Sequence, residues 1–510
     1  MERVGRCGLK GVVRQFIAST VTTWAYLIVG INYRWLGFSP YIIYLSGGHI
    51  NLTPSDYIMM HSIYSLGSIV APIPSGILVD YMGRKTGLLL TAAVPLTSWI
   101  LIYFANHSAV LHVAELLAGF WDGIVRTAVP LYIGEIAEPR IRGALFAFVY
   151  VLAANGEIMQ LIIVASMSYW NQAMMFGIIS FIFIPILLMI PESPYWLVQV
   201  GIFEKAIKSL LWFRGGSKTS DVSEEFESIV AAHYWRQRRP KGLKTLWKSR
   251  GNRKALIIVT VLAVCKSTEE TSWINLLSRF ESSPDNNTAR SSFYHIIGFT
   301  SIVTLGSICV TIFVDCFGRV PLLIVSCCGC FLSTFASFVY GCVQGSTAAP
   351  WLLYLLLAFF VFFNSLGLVQ IPLIIQGEVY PPNYKADASG WAAMVLSITG
   401  LITKSSYEYV AMRLGTDFNF LMYAVMFLVI LAFVWLYVIE TKRKTLHQIQ
   451  LELHARSSLH LISFSKRSLS GRRATGAANR NPQSTRDRLP DSTPNEPQQP
   501  ESNETRKNDS

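Results

Sequence analysis

Gly76-Ile77-Leu78-Val79-Asp80-Tyr81-Met82-Gly83-Arg84-Lys85 closes one apolar run of the chain, and Asp315-Cys316-Phe317-Gly318-Arg319 closes another, 235 positions later. Two further pairs keep nearly the same offset. Gly134-Glu135 recurs as Gly377-Glu378, and Pro191-Glu192-Ser193 recurs as Ile439-Glu440-Thr441. Three pairs in one order at one spacing describe a duplicated half. Internal duplication in a chain that crosses the membrane many times is the usual build of secondary transporters.

The composition supports that setting. Of 510 residues, 52% are hydrophobic and 15% charged, and the mean hydropathy is +0.40. A soluble protein carries about 25% charged residues. The charges crowd into the short motifs, the stretch from Pro191 to Lys254, and the tail after Glu440. What remains is a series of runs of about 20 residues, each enough for a helix to cross about 30 Å of hydrocarbon. Twelve spans are expected, near 14–34, 57–78, 87–105, 110–133, 144–167, 172–190, 255–276, 292–313, 321–343, 350–376, 387–409 and 417–438. The expected fold is an all-α membrane protein of two six-helix bundles, residues 12–190 and 255–438. A cytoplasmic N-terminus (1–11), a cytoplasmic loop with short helices (191–254) and a cytoplasmic tail (439–510, disordered after about 457) complete the division.

Orientation follows from the positive-inside rule. The segment from Pro191 to Lys254 is rich in Lys and Arg, and Arg84, Lys85, Arg140, Arg142, Arg319 and Lys385 fall on its side. That side is expected to be the cytoplasm, with both termini there and the protein in the plasma membrane. The net charge of +12 then reports topology and attraction to an anionic bilayer, not a nucleic-acid partner. Sequons at Asn51, Asn106 and Asn286 fall in the expected outer loops and are candidate glycosylation sites. The first apolar segment lacks a small-residue cleavage site and reads as span one. None of the eight cysteines falls in an expected outer loop, so no disulfide framework is implied. No residue set has the spacing of a metal site, a cofactor site or a hydrolytic triad, which excludes an enzyme.

The Asp80/Gly83/Arg84/Lys85 cluster sits in a short turn between two spans. Glycine lets the helix ends approach, and Asp80 can accept from Arg84 or from a helix N-terminus, where the dipole favours a carboxylate. Such a cluster latches helices on one membrane face. These residues resemble the signature loop of the major facilitator superfamily. Pro130-Leu-Tyr-Ile-Gly134-Glu135-Ile-Ala-Glu138-Pro-Arg140-Ile-Arg142-Gly143, Pro191-Glu192-Ser193-Pro-Tyr-Trp196-Leu197 and Glu440-Thr441-Lys442-Arg443-Lys444-Thr445-Leu446 are similar to its sugar-porter motifs. The resemblance runs from residue 12 to about 450 and is nearest to the facilitated trehalose and glucose transporters. It implies a central solute site between the bundles and alternating access. It also implies a gating network of Asp80, Gly83, Arg84, Lys85, Glu135, Arg142 and Glu192, matched by Asp315, Gly318, Arg319, Glu378, Lys385 and Glu440.

The site itself departs from the family. Its Gln-Gln-x-Ser-Gly-Ile-Asn stretch reads Glu269-Glu270-Thr271-Ser272-Trp273-Ile274-Asn275 here. Its Gly-Pro-Ile-Pro-Trp reads Val369-Gln370-Ile371-Pro372-Leu373, an expected glutamine falls on Tyr150, and the Gly-Arg opening span four reads Ala114-Glu115. The candidate solute contacts are Asn275, Glu269, Glu270, Ser272, Gln370, Gln376 and Tyr150. Charges inside spans are costly and mark functional candidates. Glu115, Asp122 and Arg126 fall on one stripe of span four, with Asp122 and Arg126 an i,i+4 pair. Glu157 in span five is expected to find its partner in that stripe. In span seven Lys266 lies one turn before Glu269 and Glu270, and can neutralise only one of them well.

The leading expectation is a carrier of a sugar or similar polyhydroxylated solute. Two alternatives stand beside it: a proton-coupled carrier of a non-sugar solute, and a receptor that keeps the fold without turnover.

Overall fold

The computed structural model describes residues 8–45, 50, 52–216, 218–237, 247, 249–278, 286–343, 350–380, 385–442, 444 and 446–455. Some side chains within these stretches, including those of residues 268–278 and 286–294, lie outside the description. Among the described residues there is no strand. Six crossings form the first half. They are α1 (Leu9–Leu45), the bent pair α2 (Pro54–Val70) and α3 (Pro72–Met82), the pair α4 (Arg84–Thr91) and α5 (Ala93–Tyr103), α6 (Ser108–Ile136), α7 (Arg142–Ser166) and α8 (Tyr169–Leu188). Three short helices follow: α9 (Pro194–Gln199), α10 (Phe203–Arg214) and α11 (Ser223–Gln237). The second half repeats the six crossings. These are α12 (Arg250–Ser278), α13 (Asn286–Phe317), α14 (Arg319–Val343), the broken pair α15 (Pro350–Ser365) and α16 (Ile371–Val379), α17 (Lys385–Leu414) and α18 (Thr416–Tyr437). A last helix, α19, covers Leu446–Ala455.

The breaks have local causes. Pro72 has no N–H to continue the ladder and its ring crowds the preceding turn, so α2 and α3 meet at 40° there. Pro372 sits in the first turn of α16, where a missing N–H costs nothing, after the non-helical turn 366–370. Among the described residues nine helical segments are long and apolar enough to cross a membrane alone, or ten with the bent pair. The two remaining crossings fail for visible reasons. α12 carries the polar stretch from Lys266 onward, and α15 and α16 are each too short.

Large apolar side chains face outward all round, Ile77, Tyr81, Leu332 and Val429 among them, as hydrocarbon rather than water requires. Helix contacts inside the first bundle use small residues. Gly30 of α1 lies against the backbone of Ala153, and Gly156 of α7 against that of Leu27, so any side chain there would force the helices apart.

Both ends of the described chain lie at the end of the molecule that carries the motifs. Gln15 of α1 donates to the Phe213 carbonyl of α10 at 3.1 Å, and its side-chain oxygen accepts from the Glu138 N–H at 2.9 Å. In α19, His454 meets Ser249 at 3.1 Å and Gln450 donates to the Val379 carbonyl at 2.5 Å. This end is called the motif end below, and the opposite one the far end.

Candidate functional site

At the motif end each half builds the same latch. Gly83, at φ +107°, and Gly318, at φ +105°, adopt a backbone that side-chain-bearing residues avoid, and so turn one helix into the next. The turn brings Arg84 beneath its own bundle, where it is 1% exposed. Arg84 donates to Glu135 through Nη2 at 2.9 Å and Nε at 3.1 Å, and meets Asp80 at 3.3 Å. Ser193 donates to the other Glu135 oxygen at 2.5 Å. In the second half Arg319, fully buried, donates to Glu378 through Nη2 at 2.7 Å and Nε at 3.1 Å, and meets Asp315 at 2.9 Å. Thr441 supplies the hydroxyl, at 2.6 Å.

The third acid of each latch is a helix cap. Helices leave their first N–H groups without partners, and a carboxylate there also meets the positive end of the dipole. Glu192 accepts from the backbone N–H groups of Arg84, Lys85 and Thr86 at 3.0, 3.0 and 3.1 Å. Glu440 accepts from those of Arg319 and Val320 at 3.1 and 3.0 Å.

The halves meet across these latches. Asp315 of the second half accepts from the Ala144 N–H of the first at 3.0 Å. Arg142, buried, lies in the field of Glu378, and Lys385, buried, lies beside Gly134 in the fields of Glu135, Glu378, Arg84 and Arg142. Glu135, Arg142, Glu378 and Lys385, expected in the gating network, thus lie in one charge cluster. Each glutamate is held by its own motif arginine, while Arg142 and Lys385 lie between the halves. Lys85, more exposed, donates to the Leu188 carbonyl at 3.0 Å.

Inward from the motif end a small cavity lies between the halves. Tyr150 stands there, about 12 Å along α7 from Arg142 at 1.5 Å per residue. The walls are Tyr26, Arg126 and Tyr150 from the first half and Val259, Ala263, Lys266, Pro372, Leu373, Gln376, Ala392, Ala393 and Leu396 from the second. The space holds about 20 Å³, room for about one water. Lys266 closes it. Its ammonium lies 3.8 Å from the Tyr150 ring centroid and donates to the Tyr150 hydroxyl. Arg126 donates to Asp122 at 2.7 Å within α6.

About 22 Å along α7 from Arg142 stands a second contact between the halves. Arg34 of α1, 3% exposed, pairs with Glu157 of α7 at 2.5 Å and donates to the Thr300 hydroxyl of α13 at 3.3 Å. This corrects the sequence reading in which Glu157 turns to the charged stripe of span four. Arg34 sits at the last position of the expected first span and was not counted among the intramembrane charges. A partner 123 residues away has no local signal.

Of the other candidates, Tyr150 and Gln376 line the cavity and Gln370 does not. Gln370 is buried and donates to the Ser365 carbonyl at 3.3 Å. Glu115 is 1% exposed, beside Trp35 and Tyr64 toward the far end. It does not line the cavity. The side chains of Glu269, Glu270, Ser272 and Asn275 lie outside the described residues, as do those of Asn51 and Asn286. Asn106 is exposed in the far-end turn between α5 and α6. Lys266 was missed as a cavity residue, although its place one turn before the expected solute stretch was the available clue.

Comparison with known proteins decides the family. The profile of the family described as Sugar (and other) transporter matches residues 12–453. The chain belongs to the sugar-porter family of the major facilitator superfamily. It is accordingly a multi-pass membrane transporter, not an enzyme. It is 27% identical over 456 residues to the facilitated trehalose transporter Tret1 of Apis mellifera ligustica, covering 86% of this chain and 87% of that one. It is 30% identical over 410 residues to the sugar transporter ERD6-like 15 of Arabidopsis thaliana, covering 79% and 84%. The proton:xylose symporter XylE bound to 6-bromo-6-deoxy-D-glucose superposes with a TM-score of 0.76 at 17% identity, over 87% of this chain and all of that one. That likeness establishes the sugar-porter fold, two six-helix bundles around a central space.

Proposed function

We propose that the protein carries a sugar or similar polyhydroxylated solute across the plasma membrane by alternating access, with the motif end and both termini in the cytoplasm. One observation carries the reading: separate polar contacts join the two halves toward each end of the molecule, with a cavity between them where Lys266 and Tyr150, and nearby Ser397 and Ser68, also meet across the halves. At the motif end the joint is Asp315 to Ala144, set by the latches. Toward the far end it is Arg34 to Thr300. Opening either side requires its own joint to part while the other holds. Two buried interfaces of this kind are bistable, which is what a carrier needs and a continuous channel does not.

The gating roles of Asp80, Gly83, Arg84, Glu135, Glu192 and their second-half counterparts belong to this reading, as do the solute contacts of Tyr150 and Gln376. The orientation has its own support in Lys205, Lys208 and Arg214 of α10 and in Arg250, Arg253 and Lys254 at the start of α12, all at the motif end. It places exposed Asn106 outside the cell, where glycosylation is possible. The relatives named for trehalose and sugar transport support the choice of solute class.

The test is uptake of radiolabelled trehalose, glucose and a polyol panel into oocytes, with surface expression measured on the same cells. Uptake above vector control that saturates with concentration supports the carrier. Surface-expressed protein with no uptake of any of them defeats it.

A further inference from the structure

The latches employ the glutamates of the repeated Gly134-Glu135 and Gly377-Glu378 pairs and leave the glycines without a task. Both glycines border the same side chain. Gly377 of α16 lies against the ring of Phe146, which α7 sends across from the first half. A Cβ on Gly377 would overlap the tip of that ring and come within 2.6 Å of Cε2 and 2.9 Å of Cε1. Gly134 of α6 borders the same tip, where a Cβ would stand 3.5 Å from Phe146 Cζ. The ring is fully buried, so it has no open space to retreat into while the halves are closed.

The place of this contact along both helices gives it a meaning. On α7, Phe146 stands one turn from Arg142, in the motif-end charge cluster, and one turn from Tyr150, in the cavity wall. On α16, Gly377 stands between Gln376, which lines the cavity, and Glu378, which holds Arg319. On both halves the contact therefore falls between the cavity and the latches. A buried aromatic side chain there fills the path that a solute must take to the motif end. Alanine is a better helix former than glycine, so the bare backbone at residue 377 serves the approach of the ring and not the helix.

We propose that Phe146 is the motif-end gate of the cavity and Gly377 its seat: the ring fills the way out while the halves are closed, and withdraws from the glycine when they part. The proposal rests on the carrier reading and deepens it. The polar joint from Asp315 to Ala144 then sets the register of the halves, and the ring two residues farther along α7 makes the seal.

The experiment measures spin-label distances between exposed Met189 and Phe317 in lipid, for wild type, Gly377→Ala, Phe146→Ala and the double variant. Thermal unfolding and uptake of labelled sugars and polyols are measured beside them. In Gly377→Ala the closed-to-open population ratio at the motif end is expected to fall about tenfold, the scale of an overpacked contact. Phe146→Ala, which removes the contact, lowers the ratio as well. Adding Gly377→Ala to it lowers the ratio by less than about twofold more, because the methyl group then meets no ring. A lower unfolding temperature with the ratio at its wild-type value makes the ring a packing residue and overturns the inference. Independent, additive shifts in the double variant overturn it too. If Gly377→Ala does not fold, Phe146→Ala decides alone: a lowered ratio supports the gate and an unchanged one overturns it. Wild type that takes up no sugar or polyol defeats the carrier reading, while the coupled shifts still support the seat on Gly377.

Discussion

The two motif-end latches invite comparison because they are built from one plan and have been put to different uses. Within each bundle the parts match: an arginine on a glutamate, an aspartate one turn before the arginine, a hydroxyl donating to the same glutamate, and a capping glutamate. Between bundles it does not. Asp315 reaches across to the Ala144 N–H, whereas Asp80 reaches no further than Arg84 among the described residues. The caps differ too. Glu192 finds three backbone donors, because Thr86 supplies the third. Glu440 finds two in its helix, because the matching position is Pro321, which has no N–H. Duplication preserved what holds each bundle together, and divergence changed what each bundle offers the other.

Mutations at matched positions can break or sharpen this comparison. The largest effect is expected where the halves agree. Removing Arg84 or Arg319 strands a buried glutamate, so Arg84→Ala and Arg319→Ala should each destabilise by about 3–5 kcal/mol. Thermal unfolding in detergent would check this, and a large difference between the two would deny their equivalence. Next come the caps. Glu192→Gln should cost about 1–3 kcal/mol, the scale of hydrogen bonds to a charged group, and Glu440→Gln less. Equal costs would mean that Thr86 adds nothing. Smaller again, Asp315→Asn should weaken the joint to Ala144 by about 1 kcal/mol and raise accessibility at the motif end, read as the labelling rate of a cysteine placed at Ala144. Asp80→Asn should leave that rate unchanged. Smallest is Lys85→Val, which gives the first latch the residue of the second; a shift within about 0.5 kcal/mol is expected.

These effects also mark where sequence and structure part company. The repeats, the twelve crossings and the latch residues were legible because apolar runs and short motifs are local signals. The latch chemistry was legible only in outline. Ser193 and Thr441 were read as matching positions, but nothing in the chain says that their hydroxyls complete Glu135 and Glu378. The cavity was least legible. Lys266 and Tyr150 are 116 residues apart, and Arg34 and Thr300 are 266 apart, so neither contact has any local periodicity to reveal it. The rewritten residues Glu269, Glu270 and Trp273 drew attention to the right helix, while the lysine one turn before them makes a contact that joins the halves.

The central claim is that the two joints alternate, and spin-label distances test it most directly. Labels at exposed Met189 and Phe317 report the motif end, and labels at exposed Phe104 and Val343 report the far end. In lipid, with and without saturating solute, the account predicts reciprocal changes: whenever one distance lengthens, the other shortens. Two distances that lengthen together, or that never respond to a solute the protein transports, would contradict it.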